Sequence, residues 1–377
     1  MRIQSKIHQI CTIVAISIAI ASCNNTDSGK FSSQASVISY KGEIKKVDVS
    51  EYFTPLPPFC IETTDDALLS RLSRVLETTD GYYVLDMKGW SVINITKDGK
   101  IRHVISAVGT GPLEYKKIND IAWDDANKRL ILLALDKILF ADSEGKIYES
   151  HNMETYYKFV VADNDNILIS NSTFVNGEMS NSQLAVVDKD WKVTSFMSPL
   201  PEYAPYCMVN GPELTKAGDK IYFIRKFDNS IYTVATGSES CDYIIDWGDS
   251  MFNPEDGVEY DCIELSKQCE ERRLVYSMSD LQAGKDFISF KTNLTGVNLM
   301  SKKDSTVFLV KGLYDERFGF NLPNYTPVEG KSGIVFFEVP ARIFLMMAEK
   351  SEKEMVKSLA SGLTMESNPV IIPFVLK

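Results

Sequence analysis

Five basic residues, Arg71, Arg74, Lys117, Lys158 and Lys216, each stand at or beside the start of a short apolar run. The chain around them is acidic, with a formal net charge of -11. Positive charge gathered at a concave, partly desolvated mouth focuses potential there and attracts an anion, such as a carboxylate or an acidic sugar. The same side chains can instead point outward or pair with Glu77, Glu114 and Asp120. Groups for bond-breaking chemistry are scarce. His8 falls in the apolar N-terminal stretch, and His103 and His151 stand apart in sequence. A histidine-based metal site or a catalytic triad therefore has little material. There is no Gly-x-Ser-x-Gly elbow and no His-Glu-x-x-His helix.

Three stretches come close to ligand-binding motifs and fall short. Gly109-Thr110-Gly111-Pro112-Leu113-Glu114 lacks the third small residue and the following helix of a dinucleotide fingerprint, so it reads as a connecting loop. Gly330-Lys331-Ser332 resembles the tail of a phosphate loop, but Tyr325 occupies the place of its first glycine, and a hairpin turn is expected. Asp163-Asn164-Asp165-Asn166 has the oxygen density of a calcium loop without its later glycine and bidentate glutamate, which leaves a solvated turn. No metal and no cofactor is expected. An acidic chain also lacks the clustered lysine and arginine that nucleic acid requires.

The elements that must position the basic set are strands. Runs rich in Val, Ile, Phe and Tyr end at Asp, Asn and Gly turns, as in Gly81 to Asp86 and Ser91 to Ile95, closed by Lys97-Asp98-Gly99-Lys100. The same order repeats at Arg129 to Leu133 and at Ile167 to Ser170. Turns of the first kind, from Gly81 through Gly218 and Gly284 to Gly330, recur about every 50 residues, the length of a four-stranded blade. A blade cannot bury both faces alone, so six are expected to stack in a ring. This predicts an all-β, six-bladed propeller with innermost strands near Arg71–Arg74, Lys117–Asp120, Lys158, Lys216 and Asp280. The final strand, Val370 to Leu376, is expected to close the ring on residues 37–49. Helical pattern is confined to residues 261–275 and 349–360.

Of seven cysteines, Cys11 lies in the N-terminal stretch and Cys23 at its end. Cys60, Cys207, Cys241, Cys262 and Cys269 remain, an odd set that cannot all pair internally. Seven positions along a helix hold Cys262 and Cys269 too far apart for a bridge. Free thiols, or one bridge among Cys60, Cys207 and Cys241, are both open.

Ile20-Ala21-Ser22-Cys23 ends an apolar run that begins at Ile10, behind Arg2 and Lys6. The run is shorter than the roughly twenty residues of a spanning helix and fits a secretory signal. The four residues resemble the lipobox of bacterial lipoproteins. That resemblance implies removal of residues 1–22, lipid attachment at Cys23 with palmitate-like chains, and a flexible tether over residues 23–36. Asn24 in place of aspartate favours the outer membrane, with the periplasmic and surface faces both open.

Further stretches resemble a family of bacterial six-bladed propeller lipoproteins, NHL-like in architecture: Gly109 to Tyr115, Asn119 to Asp124, Asp228 to Tyr232, Tyr243 to Gly248 and Asn368 to Ile371. The resemblance covers residues 37–377 and says little about activity, since fold does not fix function. The expectation is a non-catalytic envelope protein that binds a small anionic or glycan ligand, or an envelope protein partner, on one face of the ring. The alternatives are a channel-centred hydrolase or lyase, and a scaffold subunit of an envelope complex.

Overall fold

The computed structural model describes residues 35–153, 156–170, 184–196, 211–257, 259–323 and 325–377. The expectations for residues 1–22, Cys23, the tether up to Gln34, and Cys207 lie outside the described residues. Ser33–Lys377 is one compact unit. It is mostly β and propeller-like.

Three strands come first: β1 (Ser36–Asp48), β2 (Phe53–Pro55) and β3 (Phe59–Cys60). Antiparallel meanders follow. The first is β4 (Arg74–Glu77), β5 (Gly81–Asp86), β6 (Ser91–Thr96) and β7 (Ile101–Ile105). The second is β8 (Ile118–Asp124), β9 (Arg129–Ala134), β10 (Lys137–Ala141) and β11 (Ile147–Asn152). The third is β12 (Phe159–Asp163), β13 (Asn166–Ser170), β14 (Leu184–Val187) and β15 (Val193–Ser195). The fourth is β16 (Leu214–Ala217), β17 (Lys220–Phe223), β18 (Ser230–Ala235) and β19 (Ser238–Asp246). Helix α1 (Cys262–Arg272) precedes the fifth: β20 (Met278–Ala283), β21 (Phe287–Thr292), β22 (Val297–Ser301) and β23 (Thr306–Asp315), with short β24 (Phe320–Leu322) on its edge. The last has β25 (Tyr325–Glu329), β26 (Ile334–Val339), helices α2 (Ala341–Ala348) and α3 (Glu354–Ala360), and β27 (Val370–Leu376).

Alternation along the central strands explains why the meanders stack. On β9, Leu130 and Leu132 pack with Leu76, Tyr83 and Leu85 of the first meander. The residues between them, Ile131 and Leu133, pack with Val160, Ala162 and Ile169 of the third. Successive side chains point to opposite faces of a strand, so an apolar run is buried on both sides only if a sheet lies on each. The same sharing continues from the third meander to the fourth, the fourth to the fifth and the fifth to the last. The last meander returns to the first: Val328, Ile334 and Phe336 pack against Val75, Tyr82 and Val84. The first strands lie side by side in the order β4, β8, β12, β16, β20, β25 and back to β4.

Two expectations are corrected. The last strand does not pair with residues 37–49. It pairs with β26, with Phe53–Pro55 and with Phe59–Cys60. Phe53 and Phe59 are large apolar residues that bury in the seam, whereas β1 carries only Ile38 and Val47 as buried residues. Strand β1 instead runs parallel to both β19 and β23, and so fuses the fourth and fifth meanders into one continuous sheet. Helix α1 falls inside the expected 261–275, with Asp261 capping its N-terminus by accepting from the amides of Ile263 and Glu264, both at 2.8 Å. Of the expected 349–360, the helix is Glu354–Ala360, and α2 before it was not foreseen.

Candidate functional site

Strand β25 runs parallel to β4, and Ala217 at the end of β16 bridges Gly330 after β25, also in parallel, so strand starts face one mouth and strand ends the other. The central positions carry ionisable side chains. Arg74, 3% exposed, sits between Asp120 and Glu329, with Nε 3.4 Å from Asp120 and Nη2 2.5 Å from Glu329. The same Nη2 donates across the centre to the carbonyl of Leu214 at 3.1 Å. Asp120 also accepts from the amide of Val160, and Glu329 from that of Lys216. Burial opposes the Arg74 charge, but Asp120, Glu329 and Asp280 outweigh it and raise the guanidinium pKa. Burial pushes Asp120 up to about 6 and Glu329 up to about 7, against the pull of Arg74. Nearby Glu213 is pushed up to about 7 by burial, with Lys226 and Lys158 pulling the other way, and its Oε1 has no hydrogen-bond partner among the described residues. Arg74 is thus a cross-link of the ring, its charge met by two carboxylates.

At the starting mouth lies a cavity of 740 Å³ that opens between the fifth and last meanders. Arg71, Ser279, Asp280, Lys291, Lys311, Tyr325 and Glu338 supply its polar lining, and Leu294, Val297, Leu313 and Phe337 its apolar wall. Three cations face two carboxylates there, in a chain that is acidic overall. Lys291 donates to the carbonyl of Tyr325 at 2.6 Å and lies 3.5 Å from Asp280. At the opposite mouth, smaller cavities are lined by Glu77, Asp124, Asp125, Asp163 and Asp219, which outnumber Lys97, Lys216 and Lys331 there. That mouth is acidic.

The structure therefore divides the five basic residues. Arg71 lines the starting cavity, Arg74 is consumed at the centre, and Lys216 lines the cavities at the far mouth. Lys117 and Lys158 are half-buried at the starts of β8 and β12. The expected gathering at one mouth does not hold for Lys216, because it follows Leu214 into β16 while the others precede or open their strands. The near-motifs take their ordinary roles. Glu114 folds back onto the amide of Gly111 at 2.8 Å, Ser332 binds Glu77 through its amide and hydroxyl, and Asn164 turns between β12 and β13 with φ 53°. Among the described residues no group of three or more His, Cys, Asp or Glu could hold a metal ion. His151 is stacked on Trp191 at 3.5 Å and bonded to Glu149. Cys60, Cys241, Cys262 and Cys269 are free thiols.

Lys291, Lys311, Glu213, Glu329 and Glu338 were not singled out from sequence. The signal for Glu329 was present: a carboxylate ending the buried run Tyr325-Thr326-Pro327-Val328, which has to find a cation inside the protein.

One solved structure shares the fold over nearly the whole chain. A Bacteroides fragilis NCTC 9343 protein described as exported superposes with a TM-score of 0.77 at 14% identity, over 90% of this chain and 99% of its own. A DUF4221 family member from Bacteroides vulgatus gives 0.48 at 10% identity over 86% and 98% of the two chains. Virginiamycin B lyase from Staphylococcus aureus gives 0.42 at 12% identity over 83% and 82%. A comparison with curated proteins gives no match. Residues 35–374 match the domain of unknown function DUF4934, and the chain belongs to that family.

Proposed function

We propose that this chain is a lipid-anchored envelope protein, a six-bladed propeller of four-stranded blades that binds a small anionic or glycan ligand at its starting mouth without transforming it. The observation that carries the binding reading is the 740 Å³ cavity with three cations facing two carboxylates. Its volume falls in the range of small-molecule sites, and its lining combines an apolar wall with a few polar groups that can fix orientation. The blade count is supported by the cyclic order of first strands and by the shared apolar clusters that return from the last meander to the first. The N-terminal strands β2 and β3 supply the outer edge of the last blade. The anchor rests on Ile20-Ala21-Ser22-Cys23 behind an apolar run. An outer-membrane place follows from Asn24 in the same reading.

Two measurements test this. Calorimetric titration of the full chain in detergent with small organic acids and sugars is expected to give saturable binding that Arg71→Glu with Lys311→Glu abolishes at unchanged thermal stability. Binding that ignores this charge reversal refutes the site. Intact-mass analysis of the membrane fraction is expected to find residues 1–22 absent and Cys23 acylated. A Cys23→Ala chain that is still cleaved and retained in the membrane refutes the anchor.

A further inference from the structure

Asp280 departs from the strand it belongs to. The β20–β21 ladder is regular at Met278 and Ser279 and resumes at Gln282, with a register break between. Inside that break Asp280 has φ 54°, the left-handed region that few side chains other than Asn and Asp accept. Bulges of this kind re-aim a side chain, and strained backbone persists where surrounding structure imposes it. Here Asp280 is one of the residues that line the cavity. Gly211 packs against it: a Cβ there would lie 2.0 Å from Asp280 Oδ2, so a larger residue would force the carboxylate to move.

The carboxylate is nevertheless under-served. Asp280 is 7% exposed, yet among the described residues it accepts one hydrogen bond, from Ser279 Oγ at 3.0 Å. An ionised carboxylate offers about four acceptor positions, and buried ones are ordinarily filled. Lys291 stands at 3.5 Å, beyond a good hydrogen bond, and spends one donor on the Tyr325 carbonyl. Among the described residues an acceptor with spare capacity therefore lies beside a donor with spare capacity, and their charges offset each other. A group that both donates and accepts satisfies such a pair without adding charge, which is what hydroxyls do. Two cations remain in the lining, Arg71 and Lys311; Arg71 is exposed and lies close enough to Glu338 to lower its carboxyl pKa against burial.

We propose that the cavity takes an acidic sugar, with Asp280 and Lys291 reading two neighbouring ring hydroxyls and Arg71 reading the carboxylate. This rests on the reading of the cavity as a ligand site and narrows it to one ligand class. The apolar wall formed by Leu294, Val297 and Phe337 gives the sugar's C–H face a surface to cover.

The test uses the full chain in detergent, with glucuronate, galacturonate, glucose and propionate as probes. Both uronates are expected to bind more tightly than glucose and propionate. Asp280→Asn and Lys291→Met are each expected to weaken uronate binding at least tenfold, while Arg71→Gln levels glucuronate with glucose. Thermal melts establish that each variant is folded, and Arg71, being exposed, is replaced without loss of packing. No binding of either uronate overturns the proposal. Propionate bound as tightly as glucuronate, with Asp280→Asn unchanged, also overturns it but leaves an anion site in place. Binding of no probe at all removes the ligand site itself.

Discussion

Replacing Arg74 by methionine isolates what the centre of the ring contributes. In the wild-type chain the guanidinium faces Asp120 at 3.4 Å and Glu329 at 2.5 Å, and all three side chains are at most 6% exposed. Methionine fills much of the volume but leaves two buried carboxylates without their cation. Removing one partner of a buried ion pair costs about 3–5 kcal/mol, mostly as the penalty on the charge left behind. That penalty depends on the carboxylates being ionised. Burial already raises Asp120 to about 6 and Glu329 to about 7 with the arginine present, so without it both rise further. For acids whose folded pKa exceeds the unfolded one, the favourable contribution is complete below the unfolded value and is lost as pH rises through the folded value. Near pH 5, below both raised values, the acids lie toward their neutral forms, and the Arg74→Met deficit is expected to be smaller. At pH 8 wild-type holds them as paired carboxylates and the variant cannot, so the deficit reaches the full 3–5 kcal/mol. Urea unfolding at the two pH values reads the difference directly. Equal deficits at pH 5 and pH 8 would show that the loss is one of packing or of the Leu214 hydrogen bond, and that the charge argument is wrong.

Three further outcomes follow from the seam and the thiols. Phe53→Ala empties a fully buried position against Phe337 of β26 and Phe374 of β27, and should cost about 3–5 kcal/mol in urea unfolding. A chain ending at Ser367, lacking β27, is expected to lose its cooperative transition altogether, and retention of the wild-type melt would contradict the closure. Burial pushes the Cys269 thiol up to about 11, so it should resist alkylation at pH 8 in the native state and react fully in urea. Mass-resolved labelling that finds native Cys269 modified as fast as the denatured thiol would contradict its placement in the α1 cluster.

The repeating order of turn, apolar run and second run was enough to predict strands, with innermost strands near Arg71–Arg74, Lys117–Asp120, Lys158, Lys216 and Asp280. That information is local: a run apolar at every position requires cover on both faces, and a turn residue marks where it ends. The helix over 261–275 was legible through the spacing of Ile263, Leu265, Cys269 and Leu274 among charges, and the Asp261 cap appeared only in the structure. Which N-terminal segment meets β27 was not local. It depends on the competition between β1, which has two buried residues, and the Phe53 and Phe59 pair, which the seam can bury. The cavity was equally out of reach. Arg71, Asp280, Lys291 and Glu338 are separated by as much as two-thirds of the chain and meet only because the last meander stacks beside both the first and the fifth. The sign of each mouth was also a tertiary matter, since a lysine two residues into a strand reaches the opposite end from an arginine that precedes one. The sequence by itself determined the strands and their inward residues; only the closed stack decided which charges neutralise one another and which remain open to a ligand.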